Sequence, residues 1–417
     1  MSAAPGRARG GLDTWLIMLC VSRSFNMFIF MTYAATLPVL RPAWGMSATA
    51  AGSVATGFQA GYALSLLVFS WLADRVGARR VFLSSGWLSA VTSIAFALYA
   101  RSYLSALVLY TLVALSQGGT YTTAIMLMAD RYPRERRGAA VGWLLASSSL
   151  GYAMSLLVSG LALRRGGYAL AFAATAAGSV IAVVLAWLAL RTTPNVVHPR
   201  AEGRGFGREV LRNRSAMRLM LGYTFHSWEL LGMWAWTPAF VAACLAISGR
   251  ASVRSVEISS YISAAFHLTG LVASSTMGRL SDRTGRRSVL FAMALTSTIC
   301  SGLFGWLVGW PVALVFAVGA IYGFTALGDS PVLSTAFTEA VRPAYLGSGL
   351  ALRSLLGFGA GAIAPLVFGA VLDATNPPGV SPTTWGWAFV TLGLGGAAAT
   401  LCAWGLARDG KSAGATR

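Results

Sequence analysis

The chain has 417 residues, of which 56% are hydrophobic and only 11% are Asp, Glu, Lys or Arg. Soluble domains carry about 25% charged residues, so this composition excludes a soluble enzyme, a disordered chain and a disulfide scaffold, and it predicts a protein surrounded by membrane lipid. The net charge of +19 does not indicate a nucleic-acid partner, because the basic residues lie in short loops between long apolar segments.

Twelve apolar segments are long enough to cross a bilayer, whose core of about 30 Å needs about 20 residues of helix. The predicted fold class is therefore an all-α membrane protein with twelve transmembrane helices. We interpret the first segment as a retained helix rather than a signal peptide, because it carries Arg23 near its middle and no clear cleavage site follows. In chain order, spans 1 to 12 are Thr14–Thr36, Ala48–Ser70, Val81–Tyr99, Leu104–Met128, Gly138–Leu161, Gly167–Leu190, Met217–Ala243, Val256–Met277, Ser288–Val308, Pro311–Ser334, Leu346–Leu372 and Gly386–Ala407.

The basic residues are distributed unequally between the two sides of the membrane. If the N-terminus is cytoplasmic, 24 of the 32 Lys and Arg residues lie on the cytoplasmic side and 6 on the other, while Arg23 and Arg353 lie inside spans. Because cytoplasmic loops carry the excess of Lys and Arg, we predict a multi-pass protein of the cell's inner (plasma) membrane with both termini in the cytoplasm.

Two motifs occur twice along the chain with nearly the same offset. Asp74, in the segment LADRVGARR, lies 208 residues before Asp282, in the segment GRLSDRTGRR, and Asp130 lies 209 residues before Glu339. This duplication predicts two pseudo-symmetric six-helix halves, residues 1–190 and 217–417, joined by a basic cytoplasmic linker at 191–216. Repeats of this kind place the binding site at their interface near the middle of the membrane.

The pattern G-x-L-x-D-R-x-G-R-R between spans 2 and 3, and again between spans 8 and 9, resembles the major facilitator superfamily of secondary transporters. The resemblance covers the whole chain, although the first copy has Ser70 and Ala78 where the pattern has Gly and Arg. It implies that Asp74 contacts the start of span 11 and that Asp282 contacts the start of span 5, since helix N-termini attract carboxylates. Such contacts would hold the cytoplasmic face shut. The predicted gating residues are Asp74, Arg75, Asp130, Arg131, Asp282, Arg283, Glu339 and Arg342.

Ionisable residues inside spans cost about 2.5–3.5 kcal/mol each on insertion scales and usually face an interior. Arg23 and Asn26 share one face of span 1, and His226 and Glu229 repeat that spacing in span 7. Two arrangements are open: Arg23 and Glu229 meet across the central cavity, or they separate to admit a substrate. The predicted substrate-binding residues are Arg23, Asn26, Gln59, Gln117, His226, Glu229, His267, Asp329 and Arg353.

Arg353 in span 11 and Asp329 in span 10 lie at comparable predicted depth. One interpretation is a structural ion pair between them. The other is a site for a substrate anion at Arg353, with Asp329 as its counter-ion at rest. Arginine suits carboxylates and small oxyanions because its guanidinium group is always charged and presents a fixed fork of donors.

The predicted function is secondary transport of a small organic anion by alternating access, with proton coupling through the Asp, Glu and His side chains as an option. The region of spans 10 and 11 is similar to the anion carriers of the superfamily (cyanate, nitrate or oxalate type), although the nitrate signature is absent. The alternative is a proton-driven drug or metabolite exporter, which the lack of proline in Gly142–Gly151 disfavours. A sensor on a transporter scaffold would need an added cytoplasmic domain. We predict no enzymatic activity and no cofactor, and the resemblance implies a monomer.

Overall fold

The computed structural model describes residues 13–197, 210–247, 253–377 and 383–406, which contain thirteen α-helices and no strand. Twelve spans result, because α1 with α2 and α5 with α6 each cross once while α7 crosses twice. The predicted twelve-helix fold is confirmed. Both termini and part of the predicted linker (198–209) lie outside the described residues. The helices are α1 (Thr14–Asn26), α2 (Thr32–Ala43), α3 (Ala48–Val76), α4 (Ala78–Tyr99), α5 (Tyr103–Gln117), α6 (Gly119–Arg131), α7 (Arg134–Leu190), α8 (Arg214–Leu245), α9 (Val253–Thr284), α10 (Arg286–Phe304), α11 (Val312–Ala340), α12 (Pro343–Thr375) and α13 (Gly386–Trp404).

Eight of these helices, namely α3, α4, α7 and α9 to α13, are long and apolar enough to cross a membrane. Two of the other spans are each divided into two shorter helices, and in α8 the polar Glu229 lowers the mean hydropathy. Inside α7 the chain reverses direction at Gly166 and Gly167, where Gly167 adopts a φ of +68° that favours glycine. The chain is therefore a multi-pass helical membrane protein.

Span 1 differs from its prediction because it is broken between α1 and α2. Residues 27–31 form turns instead of a continuous helix. In a membrane the freed backbone groups need partners within the protein. The Tyr110 hydroxyl donates to the carbonyl of Phe30 at 2.6 Å, the Gln117 amide donates to the carbonyl of Asn26 at 2.6 Å, and the Ser155 hydroxyl donates to the carbonyl of Phe28.

The repeated loop motif forms the same tight turn in both halves. Gly77, between α3 and α4, has a φ of +93°, and Gly285, between α9 and α10, has a φ of +90°. Only glycine adopts this conformation without a steric penalty. The matching turns support the duplication read from the sequence.

The two halves have separate hydrophobic cores at one side of the membrane and a shared core elsewhere. We call the side at which α1 and α8 begin the basic side, and the opposite side the far side. At the basic side, Trp15 and Leu127 belong to a cluster of N-terminal-half residues, while Leu219 and Phe337 belong to one from the C-terminal half. The largest cluster draws on both halves and extends away from the basic side.

Two polar contacts join the halves at the far side. The Asp373 carboxylate, near the end of α12, accepts hydrogen bonds from the backbone N–H of Ala48 and Thr49 at the start of α3, at 2.8 and 2.7 Å. A guanidinium nitrogen of Arg164 lies 3.6 Å from a carboxylate oxygen of Glu257 at the start of α9. Both contacts hold the two halves together on the far side.

Candidate functional site

Arg23 is buried in α1 and points toward the junction of the halves. Its Nε donates to the hydroxyl of Ser148 at 2.8 Å, and its Nη1 donates to the hydroxyl of Thr120 at 3.3 Å. Its Nη2 lies 3.5 Å from the hydroxyl of Tyr62, and the guanidinium carbon lies 5.1 Å from the ring centroid of Tyr121. No carboxylate of the described residues contacts it, so the neighbours that stabilise this charge there are neutral dipoles and aromatic rings.

Arg353 has an equivalent environment in α12. Its guanidinium carbon lies 4.1 Å from the ring centroid of Tyr223 and 5.7 Å from that of Phe337, and both terminal nitrogens donate to the hydroxyl of Ser334. Its buried Nε has no hydrogen-bond partner among the described residues. Within the part of the chain that the structure describes, this guanidinium group also has no carboxylate neighbour at ion-pair distance.

The two guanidinium groups lie on either side of a group of tyrosines. Tyr121, from the N-terminal half, interacts electrostatically with Arg23, with Arg353 and with Tyr223 of the C-terminal half. Counted along the helices from the basic side, Arg23 lies about 14 Å deep and Arg353 about 15 Å deep, at about 1.5 Å per residue. We call the set of Arg23, Tyr62, Tyr121, Tyr152, Tyr223 and Arg353 the arginine–tyrosine cluster.

Aromatic rings from both halves cover the cluster on its far side. The ring centroid of Tyr152 lies 4.8 Å from that of Phe30 and 5.0 Å from that of Trp234. Trp234 in turn lies 5.0 Å from the ring of His267. Beyond these rings is a small cavity of about 20 Å³, to whose lining Met31, Trp234 and His267 contribute.

The acidic residues inside the spans lie within the C-terminal half, apart from both arginines. Nδ1 of His226 lies 2.9 Å from Oδ1 of Asp329. Glu229 accepts a hydrogen bond of 3.0 Å from the hydroxyl of Ser297 on α10 and packs against Gly396 on α13. The ring of Tyr223 lies 5.8 Å from that of His226, so Tyr223 stands between this acidic group and Arg353.

A comparison with family models decides the class of protein. The model described as Major Facilitator Superfamily matches residues 19–253 and again residues 250–416. The chain belongs to the Major Facilitator Superfamily. The double match agrees with the internal duplication, and it confirms the resemblance found in the sequence.

Curated superfamily members that are similar to this chain carry the names of organic-acid transporters. The "Probable 4-methylmuconolactone transporter" of Cupriavidus pinatubonensis is 25% identical over 81% of this chain and 78% of its own length. A "Probable sulfoacetate transporter" of Cupriavidus necator is 24% identical over 81% of this chain and 82% of its own length. These names support the anion-carrier resemblance.

Among solved structures of the superfamily, a mutant form of nucleoside transporter NupG has a similar fold. The TM-score is 0.75 with 14% sequence identity, and the match covers 94% of this chain and 99% of that chain. At this identity the likeness concerns the fold alone. It confirms two six-helix halves packed as in other superfamily members.

Two ion pairs were considered from the sequence, Arg23 with Glu229 and Arg353 with Asp329. Neither pair is formed in the structure. Arg23 and Glu229 do not meet, because Glu229 points into the C-terminal half toward α10 and α13. The predicted Arg353–Asp329 pair is absent, and Ser334 contacts Arg353 instead. Five residues separate Asp329 from Ser334, so at 3.6 residues per turn their side chains leave α11 in different directions.

The remaining predicted binding residues are buried, but they have different neighbours. The amide of Asn26 donates to the hydroxyl of Thr120, which also contacts Arg23, whereas Gln117 contacts the backbone of span 1. The side-chain oxygen of Gln59 has no hydrogen-bond partner among the described residues. Their roles in solute binding remain predictions.

The charged residues of the repeated loops do not make the predicted contacts between the halves in this conformation. Asp74 is exposed and makes no hydrogen bond to a described residue, and Asp282 pairs with Arg286 across the turn of its own repeated loop. Arg286 also lies 2.9 Å from a carboxylate oxygen of Glu339 within the same half. This separation is consistent with halves that are apart at the basic side.

Other predicted gating residues contact side chains of their own half. Arg75 stacks over the ring of Trp71 at 3.7 Å, and Arg131 lies 3.4 Å from a carboxylate oxygen of Asp13. Arg342 lies over the ring of Tyr345. Asp130 also makes an interaction, and Arg283 is exposed.

The four tyrosines of the cluster were not among the residues predicted from the sequence. Tyr62 lies three residues after Gln59, Tyr121 four after Gln117, and Tyr223 three before His226. Residues with these spacings share one face of a helix. Tyr62, Tyr121 and Tyr223 could therefore have been found beside the predicted polar residues, whereas Tyr152 lies four residues after Ser148, which was not predicted.

Proposed function

We propose that this superfamily member is a secondary transporter of a small organic anion, which binds between Arg23 and Arg353. The observation that carries the proposal is the pair of buried guanidinium groups without a carboxylate partner. Buried cations are usually paired or neutralised. Here the interface between the halves has two donor forks and several hydroxyl groups, and an anion would supply the missing negative charge.

The printed names of the relatives support an organic rather than an inorganic solute. Muconolactone and sulfoacetate carriers both handle small organic acids by name. The site of this chain offers aromatic rings next to the guanidinium groups, which suit a carbon skeleton better than a fully hydrated inorganic ion. The acidic groups lie elsewhere, so the site does not favour a lipophilic cation.

We further propose that the basic side faces the cytoplasm and that the protein lies in the plasma membrane. The unequal distribution of Lys and Arg supports this orientation. Asp373 and Arg164 join the halves on the far side, and we assign the structure to a state that exchanges solute with the cytoplasm. Transport follows from rocking of one half against the other.

The acidic group of the C-terminal half is the proposed site of proton coupling. Nδ1 of His226 and Oδ1 of Asp329 are 2.9 Å apart, which is close enough for a proton to lie between them. Tyr223 contacts both His226 and Arg353. Protonation of the pair would therefore change the electrostatic environment of the proposed anion site without direct contact with the solute.

A stability screen on the purified protein tests the proposed function. Thermal unfolding is measured with benzoate, acetate, nitrate and the lipophilic cation tetraphenylphosphonium, for the wild type and for Arg23→Gln and Arg353→Gln. We expect stabilisation by carboxylates in the wild type only, because ligands that bind the folded state raise its stability. Stabilisation by the cation alone would support the exporter and overturn the proposal.

A further inference from the structure

A cavity of about 590 Å³ lies on the far side, between the two halves. We call it the far-side cavity. The end of α2 forms its wall in the N-terminal half, and α8, α9 and the start of α13 form its wall in the C-terminal half; Leu37, Pro38, Arg41, Ala242, Val256 and Trp385 are among the lining residues. The lining residues Pro42 and Gly45 are exposed, so the cavity opens to the far-side aqueous phase. Its volume is in the range of about 300–1,000 Å³ that is usual for small-molecule sites.

Arg41 is the one charged residue in the described lining of this cavity. It lies in the last turn of α2, where its Nε donates to the backbone carbonyl of Met46 at 3.4 Å and its own carbonyl accepts from the N–H of Met46 at 2.9 Å. None of the described residues accepts a hydrogen bond from its terminal nitrogens. The contacts with Met46 therefore fix the position of the guanidinium group and leave its two terminal nitrogens for a ligand.

The charge of Arg41 has no counter-ion in the cavity. An arginine near the end of a membrane helix commonly extends along lipid to reach the surface, but Arg41 lines a space between the halves. The described lining contains neither Asp nor Glu. Glu257, on α9, already accepts a hydrogen bond from Tyr261 at 2.9 Å and lies 3.6 Å from Arg164. An anion in the cavity would supply the negative charge that Arg41 lacks.

The rest of the wall favours an anion with one charge and an apolar body. Ser255 and Val256 belong to the first turn of α9, and the partial positive charge of a helix N-terminus adds to that of Arg41. Leu37 and Ala242 contribute apolar surface. A second negative charge would find no further cation in the described lining, so its desolvation would not be compensated.

The far-side cavity is separate from the arginine–tyrosine cluster. Arg41 follows Arg23 by eighteen residues, which is about 27 Å at about 1.5 Å per residue. The rings of Phe30, Tyr152 and Trp234 pack against one another between them, with centroids 4.8 to 6.4 Å apart. A small solute therefore cannot contact both arginines at once.

We infer that the far-side cavity is a second anion-binding site, which takes a small organic monoanion with an apolar body from the far-side aqueous phase. The acidic group of the ligand binds the terminal nitrogens of Arg41, and its apolar body lies against Leu37 and Ala242. The assignment does not depend on the proposed function, because the far-side cavity and the arginine–tyrosine cluster share no residue.

Protection of a thiol in the cavity wall tests this assignment. In the full chain with its four free cysteines replaced, Ala243→Cys places a thiol in the lining, and Ala43→Cys places one at an exposed far-side position outside it. The rate of modification by a water-soluble maleimide is measured in phosphatidylcholine nanodiscs with benzoate, acetate, benzamide or benzylammonium.

We expect benzoate to slow the modification of Ala243→Cys at least about fivefold and to leave that of Ala43→Cys unchanged. Acetate should require about tenfold higher concentration because it lacks the apolar body. Benzamide and benzylammonium should give no protection. Equal protection by benzoate and benzamide, or a thiol at position 243 that does not react even without ligand, would overturn the inference.

Variants of Arg41 identify the group that binds the charge. Arg41→Gln should raise the half-maximal protecting concentration of benzoate at least about tenfold, because a charged hydrogen bond is lost. Arg41→Lys, which keeps the charge without the fork of donors, should retain part of the protection. Arg101→Gln removes an exposed far-side charge outside the lining and is the matched control, with full protection expected. Unchanged protection in Arg41→Gln would rule out this site.

Two further results distinguish this site from the central one and from lipid. The double variant Arg23→Gln/Arg353→Gln should keep the protection, whatever it does to transport, and its loss there but not in Arg41→Gln would mean that benzoate acts from the arginine–tyrosine cluster. If nanodiscs with phosphatidylglycerol slow the modification and benzoate has no effect, a lipid headgroup occupies the cavity and the assignment to a free organic anion is wrong.

Discussion

At the scale of single residues, the unusual feature is two buried cations whose neighbours are hydroxyl groups and aromatic rings. A cation over an aromatic face gains about 0.5–2 kcal/mol, which is small beside the several kcal/mol that burying a charge costs. Arg23 and Arg353 therefore bring unmatched positive charge into the span interior. An anion that binds between them would be stabilised by both.

The His226–Asp329 pair leads to a prediction about proton coupling. Asp329→Asn removes the charge that can take up a proton beside His226, so an inward proton gradient should no longer drive accumulation in proteoliposomes. Solute exchange without a gradient should continue at a rate within about threefold of the wild type, because Asp329 does not contact either arginine. Ser330→Ala, at the next position of α11, is the control and should stay gradient-dependent. Undiminished gradient-driven uptake by Asp329→Asn would rule out this coupling site.

The sequence could identify the charged residues of the site but not their partners. Arg23, Arg353, His226 and Asp329 stand out because charge is rare in spans. Pairing depends on the direction in which each side chain leaves its helix, and an error of one residue in a helix start rotates that direction by about 100°. This is why Asp329 was assigned to Arg353 when it faces His226.

At the scale of helices, the break in span 1 determines where Arg23 and Phe30 lie. A helix that stops in the membrane needs substitutes for its lost hydrogen bonds. Tyr110 and Ser155 supply them from α5 and α7. The sequence gives no sign of the break, since residues 27–31 contain neither Gly nor Pro, and the cause lies in side chains more than 80 residues away.

Removal of one of these substitutes should destabilise the protein. Ser155→Ala leaves the buried carbonyl of Phe28 and the N–H of Met31 without the hydroxyl. We expect a loss of about 1–3 kcal/mol, seen as a lower thermal unfolding midpoint in detergent. Ser149→Ala on the same helix is the control, because its exposed hydroxyl bonds only its own helix. Equal midpoints for the two variants would show that the break does not depend on Ser155.

At the scale of the whole molecule, the two contacts at the far side are related by the duplication. Arg164 precedes Asp373 by 209 residues, and Thr49 precedes Glu257 by 208. Arg164 and Asp373 thus occupy equivalent positions in the two halves, and each contacts the start of a helix in the other half. Asp373 does so through hydrogen bonds from backbone N–H groups, and Arg164 does so through an ion pair. Together they join the two halves on the far side.

Weakening one of these contacts should shift the equilibrium between the two states. Asp373→Asn removes the negative charge and the acceptor for Thr49, so the far-side-open state should gain about tenfold in population. Spin labels at positions 101 and 310, on the far-side loops of the two halves in a background without the four free cysteines, should report a longer distance. Thr375→Val on α12 is the control and should keep the wild-type distance, because its hydroxyl bonds its own helix and the neighbouring Asn376 amide, both in the C-terminal half. An unchanged distribution in Asp373→Asn would contradict this role.

The overall architecture was predictable because it depends on features that a sequence shows directly. Span length, the distribution of Arg and the repeat offset are each read along the chain without knowledge of side-chain direction. The conformational state was not predictable in the same way. Asp74 and Asp282 were expected to bind the opposite half, but a single sequence does not say which of two alternating states a structure adopts.

Counterflow in proteoliposomes tests the central claim most directly, with the carboxylate that stabilises the purified protein best. The wild type and the exposed-residue control Arg101→Gln should exchange the labelled carboxylate in a saturable way. The double variant Arg23→Gln/Arg353→Gln, once shown to be folded by its circular dichroism and elution volume, should fall to the level of empty liposomes. Counterflow at the wild-type rate by that folded double variant would contradict an anion site between the two arginines.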